Sequence, residues 1–138
     1  MSEPVPIHIA AAIIADAAGR LLLVRKRGTQ AFMQAGGKIE SGETPEAALR
    51  RELAEELGLV VAAGAMRYLG QRSAPAANEP GHVVEAELFA LPPLDAVTMG
   101  AEIEELVWLD VAAPGAVELA PLTRDHILPM HREALAHG

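Results

Sequence analysis

The sequence lacks cysteine and is poor in aromatic residues. None of its 138 residues is cysteine, so disulfide bonds and zinc–thiolate sites are excluded. Aromatic residues make up 3% of the chain, which leaves four rings that could stack on a nucleobase: Phe32, Tyr68, Phe89 and Trp108.

Basic residues are also scarce. The chain has 11 lysines and arginines against 19 aspartates and glutamates, a net charge of −8. This balance argues against sequence-independent binding to a nucleic acid polymer, which depends on a basic surface. The apolar run Ile9 to Ala15 is too short to span a membrane, and the N-terminal residues lack the basic region of a signal peptide. We therefore expect a cytoplasmic protein without a membrane partner.

The length and composition predict one packed domain over residues 1–138. Hydrophobic residues form 51% of it, enough for a single core. Apolar, partly β-branched runs predict a hairpin of strands Ile7–Ala15 and Leu21–Lys26 joined by a turn at Asp16–Gly19. Residues 34–38 form a short extended segment, and further strands are expected at 60–61, 66–72, 82–91 and 105–110.

Two helices complete the prediction. Thr44 followed by Pro45 is typical of a helix start, and Gly58 is typical of a helix end. A second helix is expected from an N-cap at Thr123 to about residue 136, with a kink or a later start because Pro129 falls inside it. Strands with one central and one terminal helix fit an α+β fold, specifically an α/β/α sandwich.

The first helix carries a cluster of carboxylates. Glu52, Glu55 and Glu56 are spaced i, i+3, i+4, so they share one arc of the helix. Like charges ~6 Å apart repel by roughly 3 kcal/mol at an effective dielectric of ~20. Oxygen ligands of this kind suit a hard divalent ion, Mg²⁺ or Mn²⁺. The alternative is a solvated acidic face stabilised by i, i+4 pairs with the neighbouring arginines.

The surroundings of the cluster favour the metal site. The stretch from 37 to 59, GKIESGETPEAALRRELAEELGL, resembles the signature box of the Nudix hydrolases, and its local string is close to the MutT-like branch. We call residues 37–59 the box. All fixed positions of the signature are filled, by Gly37, Glu43, Arg51, Glu52, Leu53, Glu55, Glu56, Gly58 and Leu59. The resemblance implies a mixed β-sheet between a box helix and a C-terminal helix.

The resemblance also implies roles for the box residues. Glu52, Glu55 and Glu56 are the expected metal ligands, joined by the backbone carbonyl of Gly36, and Glu52 is the box residue best placed to position or deprotonate the attacking water. Arg51 is expected to support this catalytic group by an ion pair with Glu43 that fixes the loop onto the helix. The structural positions are Gly37, where a side chain would crowd the metal, and Gly58.

Residues outside the box are expected to contribute as well. Many relatives use a further glutamate as base or metal ligand, for which Glu102, Glu104 and Glu105 are the candidates, ahead of Glu85 and Glu87. Arg25 and Arg27 share one face of their strand while Lys26 points away. With Lys38, these two arginines are the candidates for binding substrate phosphates. For each such charge, a solvated side chain is the alternative.

Together these patterns predict Mg²⁺-dependent hydrolysis of a diphosphate bond by a metal-activated water. The expected substrate is a nucleoside diphosphate linked to another moiety, such as a nucleoside triphosphate. An isomerase of isoprenoid diphosphates is disfavoured because such enzymes use a cysteine. The remaining alternative is a non-catalytic ligand sensor or partner-binding module. Small relatives often form homodimers, but no pattern here marks an interface.

The substrate itself is not fixed by the box. MutT-like enzymes commonly carry an aromatic–proline pair before the glycines, where this chain has Gln34 and Ala35. The segment near the C-terminus has Thr123, Arg124 and Asp125 in place of an asparagine that would read an oxidised guanine. These departures disfavour oxidised guanine as the base and leave other nucleotides open.

Overall fold

The strands form two sheets in a computed structural model, which describes residues 3–94 and 96–137. The four-stranded sheet has the order β3-β1-β5-β4, and the two-stranded sheet pairs β2 with β6. The six strands are β1 (Val5–Ile13), β2 (Leu21–Lys26), β3 (Gly36–Lys38), β4 (Arg67–Pro75), β5 (His82–Ala90) and β6 (Ile103–Leu109). The expected strand at 60–61 is wrong: Val60 is 96% exposed and lies in an irregular segment after the helix.

The connection between β1 and β2 is where the structure departs most from the predicted pairing. The turn is present, since Asp16 N–H donates to the carbonyl of Arg20 and Ala15 bridges Leu21. Beyond it the strands diverge, so the predicted hairpin is wrong. β1 pairs in parallel with β5 and antiparallel with β3, whereas β2 pairs with β6. Pairing on both edges places β1 inside the sheet, and residues 10–13 are buried on both faces by the two cores, which explains the continuous apolar sequence of this half of the strand.

Two cores lie on opposite sides of the strands. Alternate residues of β1 and β2 contribute to each of them. One core includes Ala10, Ala12, Leu22 and Val24 together with Leu49, Leu53 and Leu57 of helix α1 (Pro45–Leu57). The other includes Ala11, Ile13, Leu21 and Leu23 together with Leu122, Ile127 and Leu128 of the C-terminal helical segment. The predicted α/β/α sandwich is thereby confirmed.

Helix α1 begins and ends at the expected residues. The hydroxyl of Thr44 accepts a hydrogen bond from Ala47 N–H at 3.1 Å, and Pro45 occupies the first turn, where its missing N–H costs nothing. Gly58 adopts φ 64°, and the N–H groups of Gly58 and Leu59 donate back to the last turn. Because both ends are capped, the helix begins and ends at defined residues and its carboxylates lie at fixed positions along it.

The C-terminal segment differs from the prediction at its start. Helix begins near Pro121, a π-helical turn follows (Thr123–Ile127), and α2 (Leu128–His137) completes it. Leu128 N–H donates to the carbonyl of Thr123, which widens the turn just before Pro129, a residue that has no N–H to donate. Thr123 is therefore not an N-cap, because it lies inside the helical segment, where it is fully buried. No helix in the described ranges is long and apolar enough to cross a membrane.

Candidate active site

The site is built around a close approach of β3 to helix α1. A Cβ atom added to Gly37 would lie 2.6 Å from the carboxyl carbon of Glu52, so a side chain at this position would displace the Glu52 carboxylate. Gly36, the preceding residue, donates its N–H to the carboxylate of Glu56 at 3.1 Å. The two glycines thus bring backbone amide and carbonyl groups beside two of the three predicted metal ligands.

Glu56 is the most unusual residue of the site. It is 2% exposed, and its Oε2 atom has no hydrogen-bond partner within the described residues. Burial raises the pKa of this carboxyl to about 7, against the opposing effects of Lys26 and of the Gly36 N–H, and the nearby Glu52 raises it further. A buried carboxylate oxygen without a donor is costly unless a cation approaches it.

Lys26 is the cation closest to this oxygen. Its Nζ lies 3.5 Å from Glu56 Oε2 and 3.4 Å from the carbonyl oxygen of Gly36. The first distance is too long for a hydrogen bond and corresponds to an ion contact. Sequence reasoning named Arg25 and Arg27 and left Lys26 out. Because side chains alternate along β2, the sequence does show that Lys26 and the two arginines lie on opposite faces of the strand. It does not show which of these faces is directed toward the box, since that depends on how β2 packs.

Arg51 organises the loop and the helix around the site. Its guanidinium donates to both carboxylate oxygens of Glu43, at 2.9 and 2.8 Å, and to Glu52 Oε1 at 2.8 Å. These hydrogen bonds hold the pKa of Glu43 at about 2 and raise the pKa of Arg51. The predicted ion pair between Arg51 and Glu43 is present, and it also fixes the Glu52 carboxylate.

The predicted carboxylates do not all converge. The Glu55 side chain is 60% exposed and lies 3.8 Å from Arg51, at the edge of the site. Within residues 3–94 and 96–137 no group of three acidic or histidine side chains is arranged to enclose an ion. Mg²⁺ does not need such a cage, because it commonly binds through one or two carboxylates plus water and substrate phosphates. Glu52, the bare oxygen of Glu56 and the Gly36 carbonyl fit this mode of binding.

The arginines of β2 make other contacts. Arg25 binds Glu105 of β6 with an Nη2–Oε1 distance of 2.6 Å, and Arg27 binds Glu104. Two of the three candidate base glutamates are therefore engaged with these arginines. Glu102 is exposed, and its side chain has no hydrogen bond or ion pair within the described parts of the chain. Its backbone carbonyl accepts the N–H of Arg27, which places it beside the end of β2.

Glu87, a secondary candidate, is fully partnered. It is 8% exposed and accepts hydrogen bonds from Tyr68 and Gln71 while contacting His8 at 2.7 Å. The hydrogen bond from the Tyr68 hydroxyl contributes most to lowering the pKa of this carboxyl. An ionised carboxylate with three partners is held in place, and Glu85 on the same strand is half-buried.

A cleft of about 240 Å³ opens next to these groups. Its charged end is lined by Lys26, Gly36, Gly37 and Lys38. Lys38 is 68% exposed and its Nζ lies 3.9 Å from Glu79, so its head is free to move toward a ligand. Away from the glycines, the cleft continues along Ile9, Ala11, Met33, Ala77 and Val84 into a smaller apolar cavity. We call that cavity the apolar end.

A family model agrees with this geometry. The model for the NUDIX domain matches residues 6–130, which is most of the chain. The chain belongs to the Nudix family. The resemblance read from the box is thus confirmed over a length far greater than the box itself, and the α+β fold is the one that solved Nudix structures share.

Individual Nudix relatives differ in how much they share with this chain. It is 31% identical to the CTP pyrophosphohydrolase of Escherichia coli (strain K12) over 119 residues, which cover 83% of this chain and 84% of that protein. It is 47% identical to the 8-oxo-dGTP diphosphatase of Haemophilus influenzae over 58 residues, 39% of this chain but only 43% of that protein's length. The crystal structure of a MutT protein from Methanosarcina mazei Go1 superposes with a TM-score of 0.77 at 21% identity, covering 98% and 99% of the two chains.

Proposed function

We propose that the protein hydrolyses a diphosphate bond in a small nucleotide, with the phosphates held at the charged end of the cleft. The observation that carries the proposal is the buried Glu56 oxygen, which lacks a hydrogen-bond donor and adjoins the Gly36 carbonyl and Lys26. A group of this kind is costly in an empty protein and useful beside a cation and a phosphate chain. The names of the relatives, a CTP pyrophosphohydrolase and an 8-oxo-dGTP diphosphatase, support a nucleoside triphosphate as substrate.

Nudix enzymes generally use a divalent metal ion, and the donor set here favours Mg²⁺ because all its atoms are oxygens. Glu52, Glu56 and the Gly36 carbonyl would hold the ion, with Glu55 available from the edge. A bound divalent ion neutralises phosphate oxygens and makes a bound water more acidic. Mn²⁺ has similar ligand preferences and is expected to substitute.

The residues of the chain then have distinct tasks. Glu52 accepts the proton of the attacking water, and Arg51 positions Glu52 by its 2.8 Å hydrogen bond. Lys26 and Lys38 neutralise the phosphates that enter the cleft. Arg25 and Arg27 reach the outer phosphates only if they leave Glu105 and Glu104. Among the candidate glutamates outside the box, Glu102 is not held by either arginine.

Domain organisation, location and oligomeric state are further properties that can be proposed for this protein. We propose that residues 1–138 act as one Nudix domain, supported by the match over residues 6–130. We also propose a cytoplasmic location, supported by the nucleotide substrates in the names of the relatives. Whether two chains form a homodimer is tested by light scattering of the purified protein.

The test is phosphate or pyrophosphate release by the purified protein with Mg²⁺, with and without chelator. The panel holds the common nucleoside triphosphates, oxidised nucleotides, nucleotide sugars and dinucleoside polyphosphates. We expect chelator-sensitive turnover of at least one class and its loss in E56Q. The matched control is E133Q, which changes an exposed glutamate of α2. Equal turnover by wild type and E56Q would contradict the assignment of the site.

A further inference from the structure

The segment that leads into β6 closes over the last turn of helix α1. We call residues 98–102 the bracket. Gly100 N–H donates to the carbonyl of Glu56 at 2.7 Å, and Thr98 donates to the carbonyl of Leu57 through its N–H, at 3.2 Å, and its hydroxyl, at 3.1 Å. Carbonyls at the end of a helix have no donor within the helix. The bracket therefore binds α1 at the residue that carries the buried carboxylate.

Gly100 is needed for space rather than for its backbone conformation. A Cβ atom added there would lie 2.1 Å from the carbonyl oxygen of Glu55 and 3.2 Å from the Cα atom of Glu56. Both are backbone atoms of a helix that buried leucines hold in the core, so they cannot move aside as a flexible side chain would. Gly100 does not adopt the left-handed region, so alanine would be strained there by contact alone. An alanine would push the bracket about 1 Å away from α1.

The other end of the bracket is attached to the end of β2. The carbonyl of Glu102 accepts the N–H of Arg27 at 2.9 Å, and the Arg27 side chain donates to the carbonyl of Ala101 at 2.7 Å. Arg27 directly follows Lys26, whose Nζ lies 3.5 Å from Glu56 Oε2. The bracket thus connects Glu56 to Lys26 by backbone contacts at both of its ends.

The two groups that the bracket connects belong to elements with different support. Glu56 lies on a helix that is packed in one core, whereas Lys26 ends a strand whose last residues are only half-buried. The Nζ of Lys26 is placed 3.5 Å from Glu56 Oε2 and 3.4 Å from the carbonyl oxygen of Gly36, so a displaced strand end changes both distances. A misplacement of about 1 Å at a reaction site can lower the rate substantially.

We infer that Gly100 is a positioning residue of the charged end: through the bracket it sets the distance between Lys26 and Glu56. This inference rests on the proposed binding of substrate phosphates by Lys26, and Gly100 itself does not line the cleft. The alternative role for Gly100 is that of a cap that only stabilises the end of α1. A positioning role acts through Lys26, whereas a cap affects variants with and without this lysine alike.

A double-mutant cycle separates the two roles. G100A and K26M are compared singly and together by kcat/KM with Mg²⁺, on nucleoside triphosphates and on inorganic tripolyphosphate, which has no base. Each single change should lower kcat/KM about tenfold on every substrate, and the double variant should lose less than about twofold beyond K26M. Losses that multiply to about a hundredfold in the double variant would overturn the inference.

Stability is controlled by a second glycine variant and by thermal unfolding of every protein. Gly115 adopts φ 70°, and a Cβ atom there would meet nothing within 4 Å, so G115A should lower the melting temperature through backbone strain and leave kcat/KM unchanged. If G100A does not fold, T98V replaces it in the cycle, because valine loses the hydroxyl bond to Leu57. T98V should lower kcat/KM about threefold only where Lys26 is present, and T98S should restore it.

A binding measurement separates this inference from the proposed function. Calorimetry with α,β-methylene analogues of the triphosphates, in the presence of Mg²⁺, repeats the cycle without turnover. If no panel substrate is hydrolysed while G100A weakens analogue binding only in the presence of Lys26, the hydrolase proposal falls and the inference stands. If substrates are hydrolysed but G100A changes neither kcat/KM nor analogue affinity, the proposed function stands and the inference is overturned.

Discussion

The charged end and the apolar end of the cleft are assembled in different ways. Beside the charged end, Glu52 and Glu56 come from the same stretch of the chain as Gly37, whereas Lys26 lies on a distant strand. The apolar end combines β1, the segment before β3, the end of β4 and the residues before the π-helical turn. Reactive side chains can therefore be contained in a short motif, while an apolar cavity depends on how distant segments of the chain pack.

The largest expected effect comes from E56Q, which acts on the charged end alone. The change removes a buried charge without a large change in volume, so the fold should persist, and turnover of every substrate should fall by about a thousandfold or more because the proposed ion ligand is lost. Steady-state kinetics and thermal unfolding measure the two effects. If E56Q spares one substrate class, the two ends do not share a common reaction site.

The pH dependence of stability isolates the same residue. The folded pKa of Glu56 is about 7 against an ordinary value of 4.5, so between these pH values the folded state holds a proton that the unfolded state has released. The contribution of Glu56 to the free energy of unfolding should therefore be greatest below pH 4.5 and fall by up to about 3 kcal/mol as the pH rises through about 7. Urea unfolding at several pH values tests this, with E56Q losing that slope. Glu43, whose pKa is lowered to about 2, acts in the opposite direction and only at lower pH.

L122A is expected to act on the apolar end. Leu122 is 6% exposed and packs in the core on the α2 side while also lining the cavity. Truncating it should cost about 2–3 kcal/mol of unfolding free energy and loosen nucleotide binding, with tripolyphosphate turnover by the folded enzyme unchanged. Denaturant unfolding and KM values for both substrates measure this. A parallel loss with tripolyphosphate would show that the two ends are not separable.

The smallest expected effect compares two neighbouring cations of β2. K26M should lower kcat/KM about tenfold for all phosphate substrates, because Lys26 adjoins Glu56 and lines the cleft. R25M removes an ion pair with Glu105, which is 57% exposed, and should change stability by less than about 1 kcal/mol. The kcat/KM values of K26M and R25M show whether Lys26 or Arg25 binds the substrate phosphates. A larger loss in R25M would return the phosphate-binding role to the arginines first named from sequence.

Much of the charged end was predictable because its determinants are local. Helical periodicity places Glu52 and Glu56 on one side of α1, and the Thr44 and Gly58 caps fix where that helix begins and ends. The ion pair of Arg51 with Glu43 follows from the same short stretch. What sequence reasoning missed was Lys26, since alternation along β2 separates two faces but does not say which one meets the box.

The errors in the fold prediction have a common cause. A short turn between two apolar runs favours a hairpin, but the second half of β1 is buried on both faces and the strand forms its main pairing with β5, far along the chain. Thr123 before a helical pattern favours an N-cap, but packing buries it against Gln34 and Pro129 promotes a π-helical turn. In both cases long-range contacts outweighed a local preference.

The sequence by itself determined the family and the helix that carries the box carboxylates, because these depend on residues close together in the chain. The α/β/α architecture followed from the order of the elements and from the family resemblance. Tertiary structure alone decided how β1 and β2 pair, which cation faces Glu56, and the meeting of Gln34 with Thr123 across 89 positions. The physical reason is that burial and hydrogen-bond pairing are properties of the packed chain. Gly100 is an ordinary glycine in the sequence, and its close contact with the helix that carries Glu56 exists only once the two segments pack together.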